Sequence, residues 1–375
     1  MKSSFFKISL IPLALAGLFL NQNAFAFDDL TTHPALTDEV IDFYNLFAGE
    51  KINNEDKETI IQGAQDEDIP PRWINHFYDP VRNLGWSGRN TGVWPQMLVH
   101  YFSGTVLSSE YPVSSLNWLH NQELQSKYSR YKGNRTWEKA LYEYAKGNKK
   151  EAYYTLGYIL HLIEDASVPD HTRDDPHAHE MRYATGDYGS PLEEYAKNFN
   201  RDNLNIASEL KEKNFKPAEF DSVDKYLTAL AEYSNGRFFS KDTINDPLYA
   251  NPKIVREDDN FGYGLDKNGE EFELVKLRYD LDVKNKVILK EYFLPTTDIN
   301  INNEVLNQYF SRLSREAVIH GAGVIELFFR EAKAIKSGQR PAPEIFREMP
   351  PDPAKALMLF YINPVLGIMA YRRIL

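Results

Sequence analysis

Residues 156–179 read LGYILHLIEDASVPDHTRDDPHAH and hold four of the chain's nine histidines and five carboxylates. Leu156, Ile159, Leu160 and Ile163 recur at the three- and four-residue spacing of a helix that is buried on most sides. His161 and Asp165 lie one turn apart on one face, and Gly157, a turn earlier, opens that face to close approach. An ionised aspartate among such neighbours is costly unless it is paired or metal-bound. Pro169 ends the helix, since the residue before a proline avoids helical angles, and His171 follows where the chain can fold back over the helix end. Taken alone, the pair reads most simply as a hydrogen-bonded His–Asp couple inside a core.

The pair has company. His177 and His179 follow within the same stretch, Asp66 and Asp68 precede His76 in GAQDEDIPPRWINHFYDP (63–80), and His33 lies in TTHPALT (31–37). The chain has no cysteine, which removes disulfides, cysteine nucleophiles and thiolate zinc sites. A metal would have to be held by imidazole and carboxylate, the usual zinc ligands without thiolate. Several carboxylates also permit bridging between ions, as two-metal phosphoester hydrolases require. Apolar content of 42% and charged content of 26% are those of a soluble globular protein. The acidic balance, formally −11, offers no general attraction to nucleic-acid phosphates, although a local basic groove or a metal cluster overrides such a balance.

The N-terminus reads as an export signal. Lys2 and Lys7 precede the uncharged run Ile8–Leu20, and Ala24-Phe25-Ala26 supplies the small residues of a cleavage site. Cleavage after Ala26 leaves Phe27 first and moves the net charge to −13, since both lysines leave with the signal. Helical patterns run over Leu36–Gly49, Asp56–Gly63, Ser114–Lys127, Thr136–Lys146, Lys149–Ala166, Leu192–Asn200, Asn203–Lys213, Ser222–Phe239 and Asn303–Lys336. Residues 252–294 change character: Phe272–Leu281 and Val287–Phe293 are rich in β-branched and aromatic residues around turn sequences, which predicts a small hairpin or meander. The organisation expected is a signal (1–26), a helical domain (27–251 with 295–338), a β-rich insertion (252–294) and a proline-rich linker with an apolar C-terminal segment (339–375). Ala356–Tyr371 is short for a membrane span and is broken by Asn363-Pro364; it reads as a docked segment or a membrane-surface anchor.

The sequence resembles the zinc-dependent phospholipase C family, whose fold is shared with fungal single-strand-specific nucleases. LGYILHLIEDASVPDH is similar to that family's LGxxxHxxxDxxxPxH helix and loop, NHFYDP to its HFYxP segment, and His33 just after the signal to its N-terminal ligand. The similarity spans roughly Phe27 to Lys197, with a weaker match near His320. The resemblance implies a mostly helical domain holding three zinc ions in a cleft; with the β insertion read above, the fold expected is an all-α, multi-helix bundle with a small β insertion, and the departure described below leaves two or three ions. The resemblance also implies His76, His161, Asp165 and His171 as ligands, Asp165 bridging, with His33 and the terminal amine and carbonyl of Phe27 on one ion. The acid before HFYDP would be both ligand and general base; counting favours Asp68, with Asp66 as the alternative. One departure stands out. Glu193 aligns with the acid of the family's next HxxxE, but Gly189 occupies the histidine position. His177, or else His179, would supply that imidazole from the loop, and Asp174 and Asp175 read as supporting groups or as solvated loop acids.

His100 and His120 read as ordinary packing or surface residues, and His320 as a core histidine or a supporting group. Trp73, Tyr78 and Tyr158 could line a cleft but read first as core. The resemblance implies hydrolysis of the glycerol-phosphate ester of phospholipids at a membrane surface by a metal-activated hydroxide, giving diacylglycerol and a phosphorylated head group. The alternatives are a single-strand nuclease of the same fold and a non-catalytic metal- or lipid-binding relative. Periplasm, secretion and membrane-surface association are all open, as is oligomeric state.

Overall fold

The computed structural model describes residues 30–69, 72–87, 112–127, 133–177, 189–281, 287–295 and 303–346. The signal, Phe27, His100, His179 and the apolar C-terminal segment lie outside the described residues. The described chain is mostly helical, with one small four-stranded sheet. In order the helices are α1 (Thr32–Phe47), α2 (Asn54–Glu67), α3 (Ser115–Trp118), α4 (Gln122–Lys127), α5 (Trp137–Lys146), α6 (Lys149–Asp165), α7 (Pro169–Thr172), α8 (Pro191–Ala196), α9 (Ile206–Glu212), α10 (Val223–Arg237) and α11 (Glu304–Lys336). A short 3-10 turn, Arg72–Asn75, precedes His76. No helix among the described residues is long and apolar enough to cross a membrane.

Local chemistry sets several helix ends. Asn53 caps α2 by accepting from the Asp56 amide, Thr136 caps α5, and Asn303 caps α11. Gly147 closes α5 at φ +89, where any other residue would be strained. Helix α1 starts at Thr32, earlier than the apolar pattern predicts, because Pro34 sits in the first turn, where its missing amide has no intrahelical acceptor. His33 is thereby helical rather than a free loop residue. The single helix expected over Ser114–Lys127 is two short ones, because the Asn121 side chain accepts from the Leu124 amide and starts a second helix. Pro169 does more than end α6: it is the first residue of α7, the turn that carries His171.

Helix α11 is the central post, packed against α1, α5, α6, α8, α10 and the sheet. Leu156, Ile159, Leu160 and Ile163 of α6 join Val324, Ile325 and Phe328 of α11 in the main apolar cluster. Helices α2 and α6 meet at two glycines. A Cβ on Gly157 would come within 2.0 Å of the Ile60 carbonyl oxygen, and one on Gly63 within 1.9 Å of that of Tyr154. The space that Gly157 leaves is therefore filled by the α2 backbone, which brings Ala64 and Asp68 to α6.

The sheet runs β1 (Arg256–Glu257), β2 (Phe261–Leu265), β3 (Glu271–Leu281) and β4 (Val287–Phe293), all neighbours antiparallel in that order. Asp266 accepts from the Asn268 and Glu270 amides to form the β2–β3 turn. Phe272 and Leu274, two apart on β3, cluster with Leu306, Tyr309 and Phe310 of α11, and the Tyr309 hydroxyl donates to the Leu274 carbonyl at 2.9 Å.

Candidate metal centre

The folded chain collects the predicted ligands that lie among the described residues from seven segments. His33 comes from the first turn of α1, Asp68 from the residue capping α2, and His76 from just beyond the 3-10 turn. His161 and Asp165 come from α6, His171 from α7, His177 from the loop after it, and Glu193 from α8. All are buried.

Asp165 lies at the middle. Its Oδ2 is 2.9 Å from His76 Nδ1, 3.2 Å from His161 Nε2 and 3.9 Å from His171 Nδ1. Its Oδ1 is 3.5 Å from His33 Nε2. Asp68 Oδ1 is 3.6 Å from both His76 Nδ1 and His161 Nε2, and its Oδ2 is 3.9 Å from His33 Nε2. Asp66 points elsewhere, to Gln62 and the Tyr154 hydroxyl. On the far side of His171, Glu193 divides its oxygens: Oε1 is 3.2 Å from His171 Nε2 and Oε2 is 2.9 Å from His177 Nε2. Gly189 turns at φ +81 before α8.

The other nitrogen of several rings is held from outside. His33 Nδ1 donates to Glu164 at 2.6 Å, His161 Nδ1 to the Ala64 carbonyl at 2.8 Å, and His177 Nδ1 to the Asp175 carbonyl at 2.9 Å. A carbonyl only accepts, so His161 and His177 carry that proton on Nδ1, which leaves Nε2 as the nitrogen that faces the centre. His76 Nε2 faces Glu67 at 3.4 Å, leaving Nδ1 towards Asp165. Phe77 stacks on His171, ring centres 4.7 Å apart and planes 11° apart, and braces it from one side.

These residues fit a metal on the structure's own terms. Both carboxylate oxygens of Asp68 and of Asp165, and Nδ1 of His171, are buried without a hydrogen-bond partner. Buried anions in that condition are costly, and a cation relieves them. Ligand atoms of three sets lie within 4.8 Å of one another: His33, His161 and Asp165; Asp68, His76 and His161; and His171, His177 and Glu193. The imidazole and carboxylate donors are those zinc prefers in the absence of thiolate, and outer carboxylates and carbonyls on the ligand rings are a regular part of such centres.

The electrostatics agree. Burial opposes charge on His33, His76 and His177, yet Asp165 and Glu164 raise His33, Asp165 raises His76 to about 9, and Glu193 raises His177. Burial lowers His161, with the His33 charge adding to it. Burial pushes Asp68 up to about 6, against the pull of the surrounding imidazoles. Asp165 is held well below the usual carboxylate range: burial opposes this, but His161, His171 and His76 outweigh it. The carboxylates thus draw positive charge into the site, which is what a bound cation provides.

Several residues were not legible as part of this centre. Glu164, buried beside Asp165, accepts from His33 and from Thr37 Oγ1 at 2.7 Å. Glu67 accepts from Arg72 Nε at 2.7 Å and Trp118 Nε1 at 2.8 Å. Asp170 is buried near His177 and Glu193, and burial raises its pKa well above the ordinary value. Asp174 and Asp175 are not solvated; both are buried, Asp174 against Arg82 and Ser87, Asp175 against the Asp242 amide. Tyr78 and Tyr158 are core residues, and Trp73 packs with Trp86. His320 stacks against Phe220 and donates to the Glu316 carbonyl within its own helix. His120 is a partly exposed residue with two ion pairs: its two nitrogens lie 2.6 Å from Glu138 and 2.6 Å from Asp224.

No family model matches the chain, and no curated protein matches it. Among solved structures it is similar to the alpha toxin from Clostridium absonum, with 14% identity and a TM-score of 0.41 over 82% of this chain and 66% of that one. It is also similar to Clostridium perfringens alpha-toxin from an avian strain, with 13% identity and a TM-score of 0.36 over 85% and 67%. The chain thus spans about two thirds of the toxins' length.

Proposed function

We propose that this chain is an exported, zinc-dependent phosphodiesterase of the phospholipase C type, cleaving the glycerol-phosphate ester of phospholipids at a membrane surface. What supports the reading is the convergence of His33, Asp68, His76, His161, Asp165, His171, His177 and Glu193, with the oxygens of Asp68 and Asp165 buried among imidazole nitrogens and making no well-formed hydrogen bond. The lipid substrate rests on the NHFYDP and LGYILHLIEDASVPDH resemblance alone.

Bound zinc would supply Lewis-acid neutralisation of the phosphate charge and a lowered pKa for water. Asp165 would share its carboxylate between the sets that hold the ions. His33, Asp68, His76 and His161 would complete the first two sets, with the Phe27 amine beside His33, and His171, His177 and Glu193 would hold the third. Asp68, the acid that the resemblance assigns as general base, would take the proton of the attacking water. Diacylglycerol and a phosphorylated head group such as phosphocholine would leave.

The test is hydrolysis by the mature protein of a chromogenic phosphocholine ester and of phosphatidylcholine vesicles, beside single-stranded DNA. Release of phosphocholine that stops on chelation is expected. Cleavage of DNA alone would move the reading to a nuclease, and hydrolysis of none by zinc-loaded protein would overturn the enzyme reading.

A further inference from the structure

Between His171 and His177 the chain reads Thr172-Arg173-Asp174-Asp175-Pro176, and three of these residues are tied to different parts of the fold. Arg173 is fully buried. Its Nε donates to Thr243 Oγ1 at 2.6 Å, and its Nη1 to the carbonyls of Asn235 at 2.6 Å and Asn251 at 3.0 Å. The guanidinium lies 4.1 Å from the centre of the Tyr249 ring, and the Tyr249 hydroxyl reaches the Arg173 carbonyl at 2.5 Å. Asp174 adopts φ +51, a left-handed conformation that a non-glycine residue keeps only where its surroundings enforce it. Here the Ser87 amide at 2.8 Å and Arg82 Nη2 at 2.9 Å hold its carboxylate. Asp175 accepts from the Asp242 amide through its side chain, and its carbonyl accepts from His177 Nδ1.

A buried arginine that has no bonded carboxylate among the described residues is an expensive way to join two segments. Apolar residues of similar size would pack at less cost, so the device calls for a reason in geometry rather than in stability. Arg173 reads three acceptors at once with a rigid fork. It thereby fixes the loop to residues 235–251 on one side while His171 and His177 emerge on the other. The first two ligand sets share His161 on the long helix α6 and contain no residue of this loop. The third set does.

We propose that Arg173 is the positioning residue of the His171–His177–Glu193 set: it holds the loop so that His177 meets Glu193 and the third cation is retained. The proposal rests on the reading that these sets bind metal. The test measures zinc per chain after dialysis against a weak chelator, together with a competition titration, on wild type, Arg173→Met, Arg173→Lys and the milder Thr243→Ala. Arg173→Met is expected to hold one ion fewer than wild type while keeping the others. Arg173→Lys, which keeps the charge and loses the fork, should bind the last ion more weakly than wild type. Thr243→Ala should weaken that ion about tenfold, and this variant stands in if Arg173→Met does not fold. A residue that serves only stability would lower the melting temperature and leave the ion count and the last affinity alone. That outcome, or equal weakening of all ions, overturns the proposal. If wild type binds no zinc, the metal reading itself fails and the proposal falls with it.

Discussion

Glu164 lies next to Asp165 in the chain, about 100° round the helix from it, and accepts from His33 Nδ1 across 2.6 Å, anchored in turn by the Thr37 hydroxyl. Both Glu164 and His33 are buried, so no water competes for the bond. The bond leaves His33 Nε2 as the nitrogen that faces Asp165 and Asp68. Glu164→Gln is expected to weaken zinc binding about 10- to 100-fold, as the loss of a carboxylate partner does to a ligand histidine. Thr37→Val, of the same shape, should show a smaller loss in the same direction. A competition titration with a chromophoric chelator reads both, and unchanged affinity in Glu164→Gln would remove Glu164 from the account.

The meeting of Gly63 and Gly157 sets the distance from α2 to α6, and hence the places of Asp68 and of the Ala64 carbonyl that holds His161. An alanine at Gly157 would put a methyl 2.0 Å from the Ile60 carbonyl oxygen, and backbone cannot move aside as a flexible side chain does. Gly157→Ala should cost about 3 kcal/mol by overpacking, measured by urea unfolding, and should weaken zinc binding as well. Substitution of Gly236, whose Cβ would meet nothing within 4 Å, is the control and should leave binding unchanged.

His120 joins α5 to α10, with Glu138 on one nitrogen and Asp224 on the other, at a third exposed. Burial opposes its charge, but the two carboxylates win and raise its pKa to about 10. A histidine whose pKa is higher folded than unfolded adds stability that is fully present below its unfolded value near 6.5. That stability is lost as pH rises through the folded value. The melting temperature should therefore fall between about pH 6.5 and pH 10, and His120→Gln should flatten that slope. Solvent screening keeps the effect modest. An identical slope in the variant would show that other groups cause it.

Cation binding to the folded state alone raises stability with the logarithm of cation concentration. Chelation should therefore lower the melting temperature of the wild type, and zinc should restore it. In Asp165→Asn, where the carboxylate common to the surrounding imidazoles is gone, the melting temperature should respond far less to zinc. A full zinc response in Asp165→Asn would contradict the bridging role.

The sequence made part of this legible. The helix over 149–166 and the strands over 272–281 and 287–293 are close to those observed, because apolar periodicity and β-branched runs report local structure. Strand β2 was hidden by Gly262 and Gly264, which depress strand propensity but are needed here, and β1 is only two residues long. A Cβ on either glycine would press to 2.9 Å on Val275 or Leu274 of β3. At the site, His161, Asp165 and His76 stood out because polar groups interrupt apolar or aromatic runs. Glu164 and Glu67 did not, because an acid beside a ligand acid reads as solvated until the packing of α1 and α3 is known. One signal was present: Glu164 follows Leu160 by one turn and so continues the buried stripe of α6. Arg173 carried no signal, since its partners lie 62 to 78 residues away.

The central claim is that these side chains form a centre for several cations, and His161 is its most exposed point of failure because two of the three ligand sets contain it. The direct measurement is zinc per chain, by elemental analysis of the dialysed mature protein and its His161→Ala variant, with circular dichroism to establish that both are folded. The account predicts at least two ions in the wild type and at most one in the variant, held by His171, His177 and Glu193. A folded His161→Ala protein with the wild-type zinc content would contradict it.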